Sequence, residues 1–149
     1  MTVSHSAQWA EPFERVAPPL SGRTAPFWTS GADGQLRILR CADCGRHQHP
    51  PQPACPACHA TAMSWEPVSG RGSLWSWTVN RYQWVPSMPP PYIVAEVELA
   101  ERRGLRLMTN LVDCDPAALR IGMPVTVCFA RRGDAFIPLF RPADADDQG

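Results

Sequence analysis

Cys41-Ala42-Asp43-Cys44 and Cys55-Pro56-Ala57-Cys58 form two C-x-x-C pairs with ten residues between them. Two residues between ligands let a chain wrap as a tight knuckle that presents two thiolates to one ion, while nearby backbone N–H groups donate to the sulfurs. Four thiolates complete a tetrahedron and leave no position open for water, so Cys41, Cys44, Cys55 and Cys58 read as a structural metal site. Zinc suits a role without redox chemistry, and thiolate geometry leaves mononuclear iron open as the alternative. Gly45 suits a left-handed position just after the first knuckle, and His59 has to tolerate the same position after the second. Arg40 and Arg46 flank the first knuckle and are placed to offset the excess negative charge. His47 and His49 either join that outer shell or face solvent. Cys114 and Cys128 stand apart from the pairs and read as small buried hydrophobes.

Little else in the chain is equipped for chemistry. All 14 basic residues of the 149 are Arg, which excludes Schiff-base and phosphate-loop lysines. Three of the four His lie in the metal segment and the other is His5. Glu96, Glu98, Glu101, Asp113 and Asp115 sit in patterns that read as solvated strand faces or caps. No nucleophile elbow, glycine-rich phosphate cradle or helical metalloprotease pair is present. The expected role is binding, without catalytic residues of its own. One version is single-stranded nucleic acid, for which Trp75, Trp77, Tyr82 and Trp84 with Arg81 make a stacking platform. A formal net charge of zero opposes it, because phosphate binding rests on a basic excess. The other version is a protein partner, for which six Trp, the Pro-rich stretch 85–91 and the cluster Arg102, Arg103, Arg106 are suited.

The elements that must position these residues are short, since 17 Pro and 10 Gly interrupt the chain. Residues 1–25 read as an extended arm. Thr24 is placed to cap a helical turn begun by Pro26, whose Phe27 and Trp28 anchor it to the chain's own core in preference to a partner surface, before a turn at Gly31 to Gly34. A strand from Leu36 to Arg40 leads into the metal segment, which continues to about Trp65. Beyond the Gly70-Arg71-Gly72 break the pattern alternates with the period of β-structure. Ser73 to Trp84 is one strand, with Trp75, Trp77 and Val79 on one face. Tyr92 to Leu99 is the next, with Ile93, Ala95, Val97 and Leu99 on one parity. Leu105 to Val112 is the third. A helical turn Pro116 to Arg120 capped by Asp115 separates it from Pro124 to Ala130 and Ala135 to Phe140. Five short antiparallel strands with a small helical turn between the third and fourth favour a barrel of the oligonucleotide/oligosaccharide-binding (OB) type over an SH3-like one. The expected divisions are an N-terminal arm at 1–35, a zinc ribbon at 36–67, the barrel at 68–143 and a disordered acidic tail at 144–149. No apolar run approaches the roughly 20 residues that span a bilayer, and Met1 to Trp9 lacks a signal-peptide stretch, so the chain is expected to be cytoplasmic, with no membrane partner.

One ordered set of motifs goes further. It runs through Pro26-Phe27-Trp28, Gly34-Gln35-Leu36-Arg37, Arg40-Cys41-Ala42-Asp43-Cys44-Gly45-Arg46, Pro50-Pro51 and Cys55-Pro56-Ala57-Cys58. It continues with Trp65, Gly70-Arg71-Gly72, Pro91-Tyr92, Leu119, Ile121-Gly122-Met123-Pro124-Val125 and Phe140-Arg141-Pro142. In this order the chain resembles a family first catalogued as a domain of unknown function: acyl-CoA-associated OB-fold proteins carrying a rubredoxin-like zinc ribbon. The resemblance implies a helical hairpin or arm, a ribbon and an OB barrel, all mainly β. It implies a non-catalytic accessory subunit that docks in a hetero-oligomer on a thiolase-superfamily enzyme: a thiolase, an acyl-CoA synthase or a lipid-transfer-type aldolase of steroid side-chain degradation. It further implies kinship with hydratases to which such domains are fused, and help in guiding the CoA ester. All four cysteine positions of its metal-binding members are present.

Overall fold

The computed structural model describes residues 15–148; His5, Trp9 and most of the expected arm lie outside them. Among the described residues eight strands form two sheets. The first is three-stranded, with β1 (Arg37–Cys41) between β2 (His47–Gln48) and β3 (Met63–Pro67). The second is a closed barrel of β4 (Arg71–Asn80), β5 (Tyr92–Leu99), β6 (Arg106–Leu111), β7 (Pro124–Arg132) and β8 (Ala135–Pro142), in the order β4-β5-β6-β8-β7. A short helix, α1 (Ala25–Thr29), precedes both.

The barrel follows from alternation. Ile93, Ala95, Val97 and Leu99 of β5 are all buried, and Leu107 and Leu111 of β6 meet them in the same core. The barrel closes where β6 meets β8, and that pair is parallel, Leu111 opposite Phe140, so the strands are not all antiparallel as expected. This closure, with the Pro116–Ala118 turn between β6 and β7, is the OB arrangement and decides against an SH3-like barrel. Asp115 caps that turn as expected, its Oδ1 accepting from Ala117 N at 2.9 Å.

Ribbon and barrel share one core. Leu36 and Ile38 are fully buried among barrel residues, and Phe27 of α1 joins them with its ring edge-on to Trp28 at 4.8 Å. The two aromatics therefore anchor α1 to the chain itself, and burial of Phe27 alone contributes about 2–3 kcal/mol. Thr24 does not cap the helix. Its backbone is already helical, continuing a 3-10 turn from Gly22, and its side chain makes no cap bond.

Three further expectations are corrected. The strand expected to reach Trp84 ends at Asn80, so Tyr82 and Trp84 lie in the loop before β5. A β-bulge between Leu74 and Ser76 shifts the register against β5. Leu74, Trp77 and Val79 consequently face the core while Trp75 points outward, 43% exposed, instead of sharing a face with Trp77. The acidic tail is not simply loose: Ala145–Gln148 forms a 3-10 turn, and Arg141 reaches both Asp144 and Asp147 at 3.2 Å. Arg15, the first described residue, is buried and donates to Asn110 Oδ1 at 2.7 Å, so the arm is tied to β6 at that point. No helix among the described residues is long and apolar enough to cross a membrane.

Candidate metal centre and docking faces

The first knuckle leaves β1 at Cys41. The Gly45 N–H donates to the Cys41 carbonyl and the Cys41 N–H to Arg46, each at 2.9 Å. The second repeats the geometry: His59 N–H donates to Cys55 at 2.9 Å and Cys55 N–H to Ala60 at 2.8 Å. Both loops close through a left-handed residue, Gly45 at φ 75° and His59 at φ 66°, as expected from the spacing. Histidine is among the side chains that tolerate this region.

Together the loops bring the Cys41, Cys44, Cys55 and Cys58 sulfurs within 4.8 Å of one another. Cys41 and Cys58 approach to 3.6 Å, as do Cys44 and Cys55. That is far too long for a disulfide, and close to the edge of about 3.8 Å of a thiolate tetrahedron with metal–sulfur bonds of about 2.3 Å. The donor set and its spacing fit a tetrahedral thiophilic ion.

Electrostatics within the cluster agree. The Cys44 N–H donates to the Cys41 sulfur and holds that thiol below its ordinary range against the effect of burial, with help from Asp43 N–H. Donation from Cys58 N–H, and less from Ala57 N–H, lowers Cys55 to about 6. Cys58 accepts from Ala60 N–H, which favours its thiolate, yet Cys41, burial and the remaining sulfurs together push it up to about 12. Thiolates are thus favoured one by one and opposed all at once, and a cation relieves that opposition while protons leave.

The outer shell differs from expectation in part. Arg40 donates from Nε to the Gly45 carbonyl at 2.9 Å and from Nη1 to Glu66 at 3.0 Å, so it braces the first knuckle and is itself balanced by a carboxylate. Arg40 and then Ser64 hold Glu66 below the usual carboxylate range. Glu66 was not foreseen, because only the β1–β3 register brings it beside Arg40. Arg46 is exposed. His49 turns away from the metal loops to lie 5.0 Å from the Phe27 ring, and burial lowers its pKa. His47 is joined through its backbone: its carbonyl accepts from Arg102 Nε at 3.2 Å, tying ribbon to barrel.

Beyond the metal, the expected binding residues separate. Arg106 lies 3.8 Å over the Trp75 ring and is flanked by Glu96 and Glu98 at 3.8 and 3.9 Å. Tyr82 and Trp84 stack at 4.7 Å in the Pro-rich loop, 65% and 71% exposed, with Trp84 Nε1 donating to Asn80. Trp77 is core, so no continuous stacking platform forms. The five candidate carboxylates include three in structural bonds: Glu98 accepts from Gly104 N–H, Glu101 from Ser69 N–H and Asp115 from Ala117 N–H. Cys114 is buried, with burial raising its thiol to about 11, and Cys128 is half-buried beside a small second core.

Comparison with known proteins identifies this architecture. Residues 28–64 match the rubredoxin-like zinc ribbon domain of ChsH2, and residues 65–130 match the ChsH2 C-terminal OB-fold domain. A DUF35 domain-containing scaffold protein of Methanothermobacter thermautotrophicus is 33% identical over 62% of this chain and 69% of its own length. The chain belongs to the ChsH2/DUF35 family. Its ribbon is a zinc ribbon, and the four-cysteine cluster fits such an ion. The 3-oxo-4,17-pregnadiene-20-carboxyl-CoA hydratase alpha subunit of Mycobacterium tuberculosis is 37% identical over 80% of this chain. The chain spans less than two-fifths of the length of the curated hydratase subunits it matches. Among solved structures, a chain of the Ltp2-ChsH2(DUF35) aldolase is similar over its whole length and 85% of this chain, at 38% identity and a TM-score of 0.74.

Proposed function

We propose that this ChsH2-family chain is a non-catalytic, cytoplasmic accessory subunit that docks on a thiolase-superfamily enzyme acting on acyl-CoA esters, a lipid-transfer-type steroid aldolase being the sharpest form of the reading. The observation that carries it is the full-length likeness to a chain of the Ltp2-ChsH2(DUF35) aldolase. The hydratase relative's steroid CoA substrate supports the same class of acyl group. In this reading the divisions 1–35, 36–67, 68–143 and 144–149 hold, and Cys41, Cys44, Cys55 and Cys58 ligate zinc to fix the ribbon rather than to activate water. The residues support a docking role. Carboxylates of the barrel are spent on turns and on Arg106, while Tyr82 and Trp84 are offered to a partner. The alternative of a single-stranded nucleic-acid module is disfavoured because Arg106 is flanked by two carboxylates beside the outward Trp75. Co-expression with a thiolase-like aldolase tests the proposal: a co-purifying complex with retro-aldol activity on an acyl-CoA is expected. Separate elution, with enzyme activity indifferent to this chain, overturns it.

A further inference from the structure

The two metal knuckles share a backbone geometry but not a support. In each, the residue after the second cysteine donates its N–H to the first cysteine's carbonyl: Gly45 to Cys41 and His59 to Cys55, both at 2.9 Å. In each, the first cysteine's own N–H donates to a carbonyl just beyond the loop, Cys41 to Arg46 and Cys55 to Ala60. The first knuckle is built into the sheet. Cys41 ends β1 opposite Met63, Arg40 lies opposite both Ser64 and His47, and Ala42 N–H donates to the Ala62 carbonyl at 2.9 Å. Arg40 then joins loop to strand with one guanidinium. Its Nε donates to the Gly45 carbonyl at 2.9 Å and its Nη1 to Glu66 Oε2 at 3.0 Å, while Ser64 Oγ donates to Glu66 Oε1 at 3.1 Å. As a partly exposed ion pair this contact contributes little. Its effect is geometric, because two ends of a rigid planar fork fix the Gly45 carbonyl against β3.

The second knuckle has no such frame. Residues 55–60 lie outside any strand, and among the described residues their hydrogen bonds to the rest of the chain run only through the cysteine sulfurs. The nearest side-chain tie, Gln48 Nε2 to the Gln52 carbonyl at 3.4 Å, stops short of the loop. Apart from the sulfur cluster, only its own backbone bonds hold it in shape. Solvent does not make the difference, since Cys44 and Cys58 are both exposed and Cys41 and Cys55 both buried. Segments with few ties to their surroundings are the ones that open locally in a native protein.

We propose that the ribbon holds its zinc between a seat and a lid: Arg40 and Glu66 are positioning residues that keep the Cys41–Cys44 seat formed, and the Cys55–Cys58 knuckle is the lid that opens for exchange of the ion. The inference rests on these four cysteines as the ligands. Native-state amide hydrogen exchange on the zinc-loaded full chain tests it, because the matched backbone bonds let like be compared with like. Protection at His59 and Cys55 should be about tenfold lower than at Gly45 and Cys41. Arg40→Gln and Glu66→Gln should each bring Gly45 and Cys41 down toward the second knuckle and leave His59 and Cys55 unchanged. Release needs the lid to open and the seat to let go, so both variants should also surrender zinc to a chromogenic chelator about tenfold faster, the scale on which groups that orient ligands act. Arg40→Lys keeps the charge without the fork and should release zinc as fast as Arg40→Gln. Unchanged protection in β5 and β6 shows that the variants fold, and the wild-type comparison decides even where one does not. Equal protection of the two knuckles in the wild type, a substitution that loosens both alike, or wild-type zinc retention in Arg40→Lys overturns the seat and lid while leaving the ligands in place. A reduced chain that takes up no zinc overturns the ligand reading as well.

Discussion

Each of the four cysteines offers one sulfur to the metal site, and removing any one leaves three thiolates crowded without their ion. Cys58→Ser should reduce bound zinc from one per chain to near zero and destabilise the fold by several kcal/mol, given that structural zinc supplies on the order of 10 kcal/mol in comparable ribbons. Metal analysis beside thermal melts checks both halves. His49 makes a separate prediction. Burial against Phe27 lowers its pKa below the ordinary 6.5, so the folded chain prefers the neutral ring. As pH falls through 6.5 the unfolded chain takes up a proton that the folded chain resists. The stability this ring contributes is therefore complete above that pH and is lost as pH falls toward the folded value. His49→Phe should give a shallower fall of melting temperature between pH 7 and pH 5 than the wild type shows; identical slopes would remove His49 as a source of acid sensitivity. At this scale the sequence speaks clearly where chemistry is local. The cysteines and the left-handed Gly45 and His59 follow from spacing within one loop, whereas Arg40 with Glu66 and Arg102 with His47 depend on partners 26 and 55 residues away.

Elements read from periodicity succeed as long as the period is unbroken. β5 alternates without interruption, and its four inward residues follow from that alternation alone. β4 has the same aromatic richness, but the bulge at Leu74 to Ser76 adds one residue and sends Trp75 outward. Nothing in the composition of that strand marks the bulge, since Trp suits either face of a barrel. The parallel β6–β8 closure is equally silent, because strand direction within a barrel is set by the crossing connection and not by side-chain pattern. Gly31 shows how tightly one connection is built. It follows α1 and is buried, and a Cβ there would lie 2.5 Å from the Phe129 ring and 2.6 Å from Phe136 Cβ. Both neighbours belong to the barrel, so Gly31→Ala must push α1 off β7 and β8. A loss of about 1–3 kcal/mol is expected, read as an earlier midpoint in urea. Gly122→Ala is the contrast. Unlike Gly31 it sits at a positive φ, of 83°, where a side chain is strained, but nothing lies within 4 Å of the new methyl group. A smaller loss at Gly122 than at Gly31 shows that packing, not backbone freedom, sets the cost at Gly31.

For the whole molecule, the shared core decides how metal loss is felt. If ribbon and barrel were separate domains, a chelator would unfold the ribbon and leave the barrel's transition in place. The packing argues otherwise. Leu36 and Ile38, at the entry to β1, are fully buried in the core that also holds Leu74, Val97, Leu107 and Phe140 of the barrel. Val68 N–H donates to the Leu36 carbonyl at 2.8 Å, and Arg102 clasps the far side at His47. Releasing the thiolate cluster frees β1 to withdraw two large side chains from that core, a cavity-forming change that costs each barrel strand contacts. Stripping zinc with a strong chelator should therefore lower the melting temperature of the entire chain and keep a single cooperative transition. Near-ultraviolet circular dichroism follows the packed aromatics, Trp65 of the ribbon and Trp77 of the barrel among them, and far-ultraviolet the backbone; their midpoints should move together. A barrel transition that stays at its zinc-loaded temperature while the ribbon melts early would show two independent units.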